Sequence, residues 1–181
     1  MAVNIDQVAF DLAKELLACF CVALGQTTGG EACRCSLLAG ANVAADLCCD
    51  CGAGNGQAWV RVAEIWPTTA TWPQRLAQVE KCPLNMWAVE LEMGAYRCAA
   101  KIDNRGRFPS AARLTRDAEI ILDDAAAMRR AASCCFRTSE AARQSTRKLI
   151  IGGWQPLGPE GGCVGGQLSV TVSAYDCCPQ P

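Results

Sequence analysis

The chain contains no histidine. That absence removes the Ser-His-Asp and Cys-His arrangements, histidine general bases and His-ligated catalytic zinc. Charge is scarce as well: 19% of residues are Asp, Glu, Lys or Arg, and at pH 7 they sum to −1. So balanced a chain has no overall pull toward nucleic acid or anionic lipid. No apolar run approaches the roughly twenty residues of a membrane span. No basic leader stands at MAVNIDQ, and no small-residue cleavage pattern follows the apolar stretch from Leu16 to Leu24. A protein made in the cytosol and not exported by the secretory route is therefore expected.

What the chain has in abundance is cysteine, 14 in 181 residues. Cytosolic thiols are normally kept reduced. Three roles compete: a structural metal, buried thiols used as small hydrophobes, or disulfides formed after the protein leaves the cell. The densest stretch runs from Cys33 to Trp66 and opens with Cys33, Cys35, Cys48, Cys49 and Cys51. Cys33, Cys35, Cys48 and Cys51 are the candidate metal ligands, because a one-residue gap in extended chain puts both sulfurs on one side. Their layout departs from the paired knuckles of zinc sites, so disulfides or packed thiols are preferred and no metal or cofactor is expected. Cys19 and Cys21 read most simply as core packing.

Hydropathy patterning supplies the fold class. Ile5, Val8, Leu12, Leu16, Cys19, Phe20 and Leu24 recur at helical spacing, with Asn4 or Asp6 as cap and Gly25 at the end. Gly52 to Gly56 forms a turn into a strand, Gln57 to Trp66. A Pro/Thr/Trp connection leads to a second strand, in which Trp87, Val89, Leu91 and Met93 alternate with Ala88, Glu90 and Glu92. That alternation explains the two carboxylates as a solvated face without catalysis, and Gly94 is expected to bend or bulge the strand. A second helix is expected over Thr115 to Phe136, capped by Thr115, with Ala118, Ile121, Leu122, Ala125, Met128 and Ala132 buried. Basic Arg129, Arg130 and Arg137 complement its dipole.

Residues 138–147 read as a surface loop or arm carrying Arg143 and Arg147. Strands Lys148–Trp154 and Gln167–Tyr175 close the chain around a wide glycine-rich hairpin loop, 155–166. The sum is one α+β domain over residues 1–181, with two long helices flanking a small, mainly antiparallel sheet. Trp154, Leu157 and Val164 are large apolar residues in or beside the loop, and such residues on exposed loops mark contact surfaces. With Arg143 and Arg147 they are the candidate interface residues. No residue is assigned a catalytic role.

Several segments together resemble a known group. CRC…CCDCGAGNGQAWVRVAEIWPT, WAVELEMGAYRC, the helix ending RRAASCCF, and IIGGWQPLGPEGGCVGGQLSVTV resemble the tail terminator proteins of long-tailed actinobacterial phages. The likeness spans roughly residues 5–176. It implies a tail-terminator-like fold and a homohexameric ring that stops tail-tube polymerisation and offers the head or neck a docking surface. The implied partners are further copies, the tail tube protein and a neck connector, with DNA only passing through the lumen and no membrane. Synthesis in the bacterial host cytoplasm and assembly into the virion tail would follow.

Two other readings compete. A head-to-tail connector or stopper shares the architecture. A zinc-stabilised nucleic-acid module would use the cysteines and the basic region Arg113–Lys148, but near-zero charge and the lack of interleaved aromatic and basic residues oppose it. A thiol-dependent enzyme needs an activated cysteine, and no histidine marks one.

Overall fold

The structure, a computed structural model, describes residues 6–45, 48–49, 56–69, 71–76, 85–102, 104–139, 142 and 148–176. Helix α1 spans Gln7–Leu24. The Asp6 carboxylate caps it by accepting the Ala9 N–H at 3.0 Å, and Gly25 closes it. The apolar stripe turns Leu12, Leu16, Phe20 and Leu24 inward to zero exposure. Leu16→Ala is expected to cost about 2–5 kcal/mol, the range for truncating a fully buried leucine. Urea denaturation would read it, and an unchanged midpoint would mean the wrong face of α1 had been assigned.

Among the described residues five strands follow: β1 (Arg34–Leu38), β2 (Gln57–Thr68), β3 (Asn85–Cys98), β4 (Leu149–Glu160) and β5 (Cys163–Asp176), with helix α2 (Ala111–Arg130) between β3 and β4. They form one sheet in the order β1-β2-β3-β5-β4. Only β1 and β2 pair in parallel; the other three pairings are antiparallel. The mixed α/β architecture with a mainly antiparallel sheet is the one the periodicity implies. Both helices cover the same face. Val60 of β2, Leu91 and Met93 of β3 and Val170 of β5 meet α1 and, from α2 and its continuation, Met128, Ala132 and Phe136.

Several boundaries differ from expectation. Strand β1 lies inside the stretch read as a cysteine loop. Helix α2 starts at Ala111, not Thr115, because Ser110 supplies the cap by accepting the Arg113 N–H. It runs to Arg130 and continues as a π-helical turn, Ala131–Cys135, and a 3-10 turn, Phe136–Thr138. Its buried stripe takes in Asp124 and Ala127, whereas Leu122 is 61% exposed and Ala118 is exposed too. Arg129 and Arg130 do occupy its last turn.

The wide hairpin loop over 155–166 is not a loop. Strands β4 and β5 run to Glu160 and from Cys163, so Gly161-Gly162 alone make the turn. Both have positive φ, 57° and 86°, as a two-residue turn matched to strand twist requires. Pro156 and Pro159 are tolerated because β4 is an edge strand. The register is regular at Gly94; it shifts in β2 between Val62 and Glu64 and in β4 between Ile151 and Trp154 and between Leu157 and Glu160. Of the arm, only Thr138, Ser139 and Ala142 are described; Arg143 and Arg147 lie outside the described residues.

Candidate functional site

The face of the sheet opposite the helices carries a second, smaller core: Cys48, Trp59, Tyr96 and Cys163, with Val43, Ala45, Cys49 and Leu157 packed against it. Pairing puts Trp59 opposite Gly94, and any side chain at Gly94 would collide with the indole ring. Trp59 and Tyr96 meet at 5.0 Å between ring centroids, tilted by 37°. Burial pushes the Tyr96 phenol up, with the carboxylates of Glu160 and Glu92 adding to it.

Two disulfides hold the overlying loop down. Cys98 and Cys163 sit directly opposite each other at the ends of β3 and β5. Adjacent Cys49 and Cys48 reach them respectively, forming Cys49–Cys98 and Cys48–Cys163. The vicinal pair thus clamps one loop to two neighbouring strands. On the helical face, Cys19–Cys135 ties α1 to the end of the second helical segment, and Cys21–Cys35 ties α1 to β1. Cys19 and Cys21 are therefore cross-links, not merely packed thiols.

Of the four candidate metal ligands, Cys35 and Cys48 have their sulfurs in these bridges, and Cys33 is disulfide-bonded too. A disulfide sulfur is not the thiolate that a metal needs. Cys51 lies outside the described residues. Cys48 and Cys51 do stand at the three-residue offset of a redox pair, a spacing sequence reasoning passed over, but Cys48 is bonded to Cys163 instead. Cys134 is a free, exposed thiol. Among the described residues no group of three or more Cys, Asp or Glu is arranged to hold a metal ion.

The polar side chains are likewise engaged in structure. Arg61 makes a two-bond ion pair with Glu92 at 2.7 and 2.9 Å on the face away from the helices. Arg97 does the same with Asp124, at 2.7 and 2.9 Å, with both side chains almost wholly buried. Thr28 donates its backbone N–H and its hydroxyl to Asp123, holding that carboxyl below the usual range. The first pair ties β2 to β3, and the other two contacts fasten α2 to β3 and to the turn after α1. Sequence reasoning missed them, because each residue is unremarkable until the fold brings it to its partner.

The candidate interface residues are dispersed. Trp154 packs half-buried against the main core and over Gly166. Leu157 packs on the second core, and Val164 lies half-buried opposite Arg97. Trp154 and Leu157 thus contribute to the protein's own packing.

Exposed apolar side chains lie elsewhere, some of them isolated, such as Val22, Phe108 and Leu122, and some grouped at the sheet edges. Phe10, Leu38 and Ile65 line one groove of about 360 Å³ between α1 and the β1–β2 edge. Ile150 and Ile151 stand exposed on β4, the opposite edge. No helix among the described residues is long and apolar enough to cross a membrane. No protein-family profile matches the chain, and no curated protein matches it.

Proposed function

We propose that this chain is a structural virion protein, a tail terminator that forms a ring at the head-proximal end of a phage tail tube. The ring halts tube polymerisation and presents a docking surface to the neck. One observation carries the reading. The two most specific segments of the resemblance, GAGNGQAWVRV and GGWQPLGPEGGCVGG, meet in the second core, where Trp59 and Leu157 pack together with the Cys48–Cys163 bridge. Trp59 of the first segment and Leu157 and Cys163 of the second make sense as parts of one scaffold. That is what a protein acting through shape and assembly needs of its distinctive residues.

The described side chains agree with such a role. Buried charges are paired and the sulfurs of the clamp are bonded to each other, so neither is poised for chemistry. Negative-stain microscopy of the purified protein is the test, alone and with polymerising tail-tube subunits. Rings, and tubes that stop growing once capped, are expected. A strict monomer at high concentration that leaves tube growth unchanged would refute the proposal. Association with the neck assembly and not with tubes would favour a connector instead.

A further inference from the structure

From the strand register we infer that copies of this chain join edge to edge, β4 of one copy pairing antiparallel with the uncovered half of β2 in the next. The inference rests on the ring reading above and names its junction.

The two edges of the sheet are each half open, in complementary ways. Strand β1 covers β2 only from Gln57 to Arg61. Beyond it, no strand among the described residues pairs with Val62–Trp66 on that side, up to Pro67, whose carbonyl accepts the Leu76 N–H; Arg75 from the same segment pairs with Glu64 and lies over Trp66. On β4, the half containing Pro156 and Pro159 is blunted against further pairing, as edge strands commonly are. The half from Leu149 to Gly153 has neither proline nor charge, and it exposes Ile150 and Ile151 at 40% and 37%. An unguarded apolar edge is a template for another strand.

Register then aligns the two open halves. Across the sheet, Val62 pairs with Leu91, Leu91 with Val170, and Val170 with Ile151. Two rows along, Ile65 pairs with Val89, Val89 with Val172, and Val172 with Leu149. The open part of β4 is therefore level with the open part of β2. The proline-bearing part is level with β1: Pro156, Gly166, Ala95, Ala58 and Cys35 form one row. A neighbour placed beside this copy without axial shift thus presents Leu149–Ile151 to Val62–Ile65. The irregularity between Ile151 and Trp154 lets β4 bend away from β1.

Direction and facing agree as well. Strand β4 runs opposite to β2, so a copy in the same orientation meets it antiparallel. Leu149 and Ile151 share the helical face with Ile65; Leu149 packs on its own core, and the exposed Ile151 would enter the groove beneath Phe10. Lys148, next to the incoming strand, is of opposite charge to Asp6 in that groove. Contact between two different edges is heterologous, and with no axial shift it closes into a ring, instead of climbing as a filament, wherever the rotation between copies divides a full turn.

The test uses Ile151→Lys and Ile65→Lys in the full chain, each checked for an unchanged melt, with native mass spectrometry as readout. Each variant alone is expected to lose the ring and remain a monomer. Mixed, they should form one-to-one dimers and nothing larger, because each keeps the edge the other lacks. A benzophenone side chain at position 65 of the otherwise unaltered protein should cross-link to the 148–154 peptide of another copy. Rings persisting in both variants, or cross-links to any other peptide or only to tube subunits, would overturn the junction and leave the ring standing. An unaltered protein that is monomeric at every concentration would overturn both.

Discussion

Replacing Arg97 with methionine should destabilise the fold by about 3–5 kcal/mol, the cost of leaving one half of a buried ion pair behind. Arg97 and Asp124 are 5% and 3% exposed and joined by two parallel bonds. Arg97 also donates to the carbonyls of Gly29 and Gly30, and Asp124 accepts the Thr27 hydroxyl. One guanidinium therefore joins β3, α2 and the turn after α1. Without it, the Asp124 carboxylate is buried with only a hydroxyl to answer its charge. Removing the carboxylate as well, in Arg97→Met/Asp124→Leu, should recover much of the loss, since an apolar pair of similar volume asks for no compensation. Recovery will be incomplete because the two glycine carbonyls stay unpaired. Urea unfolding of both variants at constant slope measures this. Equal losses in the single and double variants would show that charge is not what the pair contributes.

That network also marks the limit of what the sequence discloses. Helix α1 was legible because Leu12, Leu16, Phe20 and Leu24 keep strict helical spacing behind a capping aspartate. Strands β3 and β5 were legible because over Trp87–Met93 and Leu168–Ala174 apolar residues facing the helices alternate with mostly polar ones on the other face. Helix α2 was misplaced at its start because its first two turns bury nothing, so no apolar period marks them. Strand β1 was hidden by brevity: five residues, two of them leucine, among cysteines. The β4–β5 hairpin was read as a loop because proline and glycine count as breakers, yet an edge strand accepts the first and a tight turn demands the second. Of the candidate site, sequence reasoning picked out the cysteines and Trp154, Leu157 and Val164, but not how they are used. Cysteine partners depend on which strands lie side by side, and a Cys98–Cys163 neighbourhood exists only once β3 and β5 pair. The open sheet edges depend on strand order and register in the same way.

The clamp at that neighbourhood carries the other large effect. Converting Cys48, Cys49, Cys98 and Cys163 together to alanine should remove both bridges, each worth about 2–5 kcal/mol. Domains of this size are stable by only about 5–15 kcal/mol. The variant is therefore expected to sit at the margin of folding at 37 °C. The reason is topological: the bridges close chain separations of 115 and 49 residues, and cutting them restores that freedom to the unfolded chain. A local signature should precede global loss. Trp59 is 1% exposed beneath the clamped loop, so releasing the loop should wet it and shift its emission to the red. Comparison with a Trp59→Phe background assigns the shift among the five tryptophans. Mild reductant should reproduce both effects in the unaltered protein, whereas a chelator should reproduce neither. A quadruple variant with unchanged midpoint and emission would mean the loop is held by packing alone. Unfolding by chelator, with stoichiometric zinc released, would mean that these cysteines serve a metal after all.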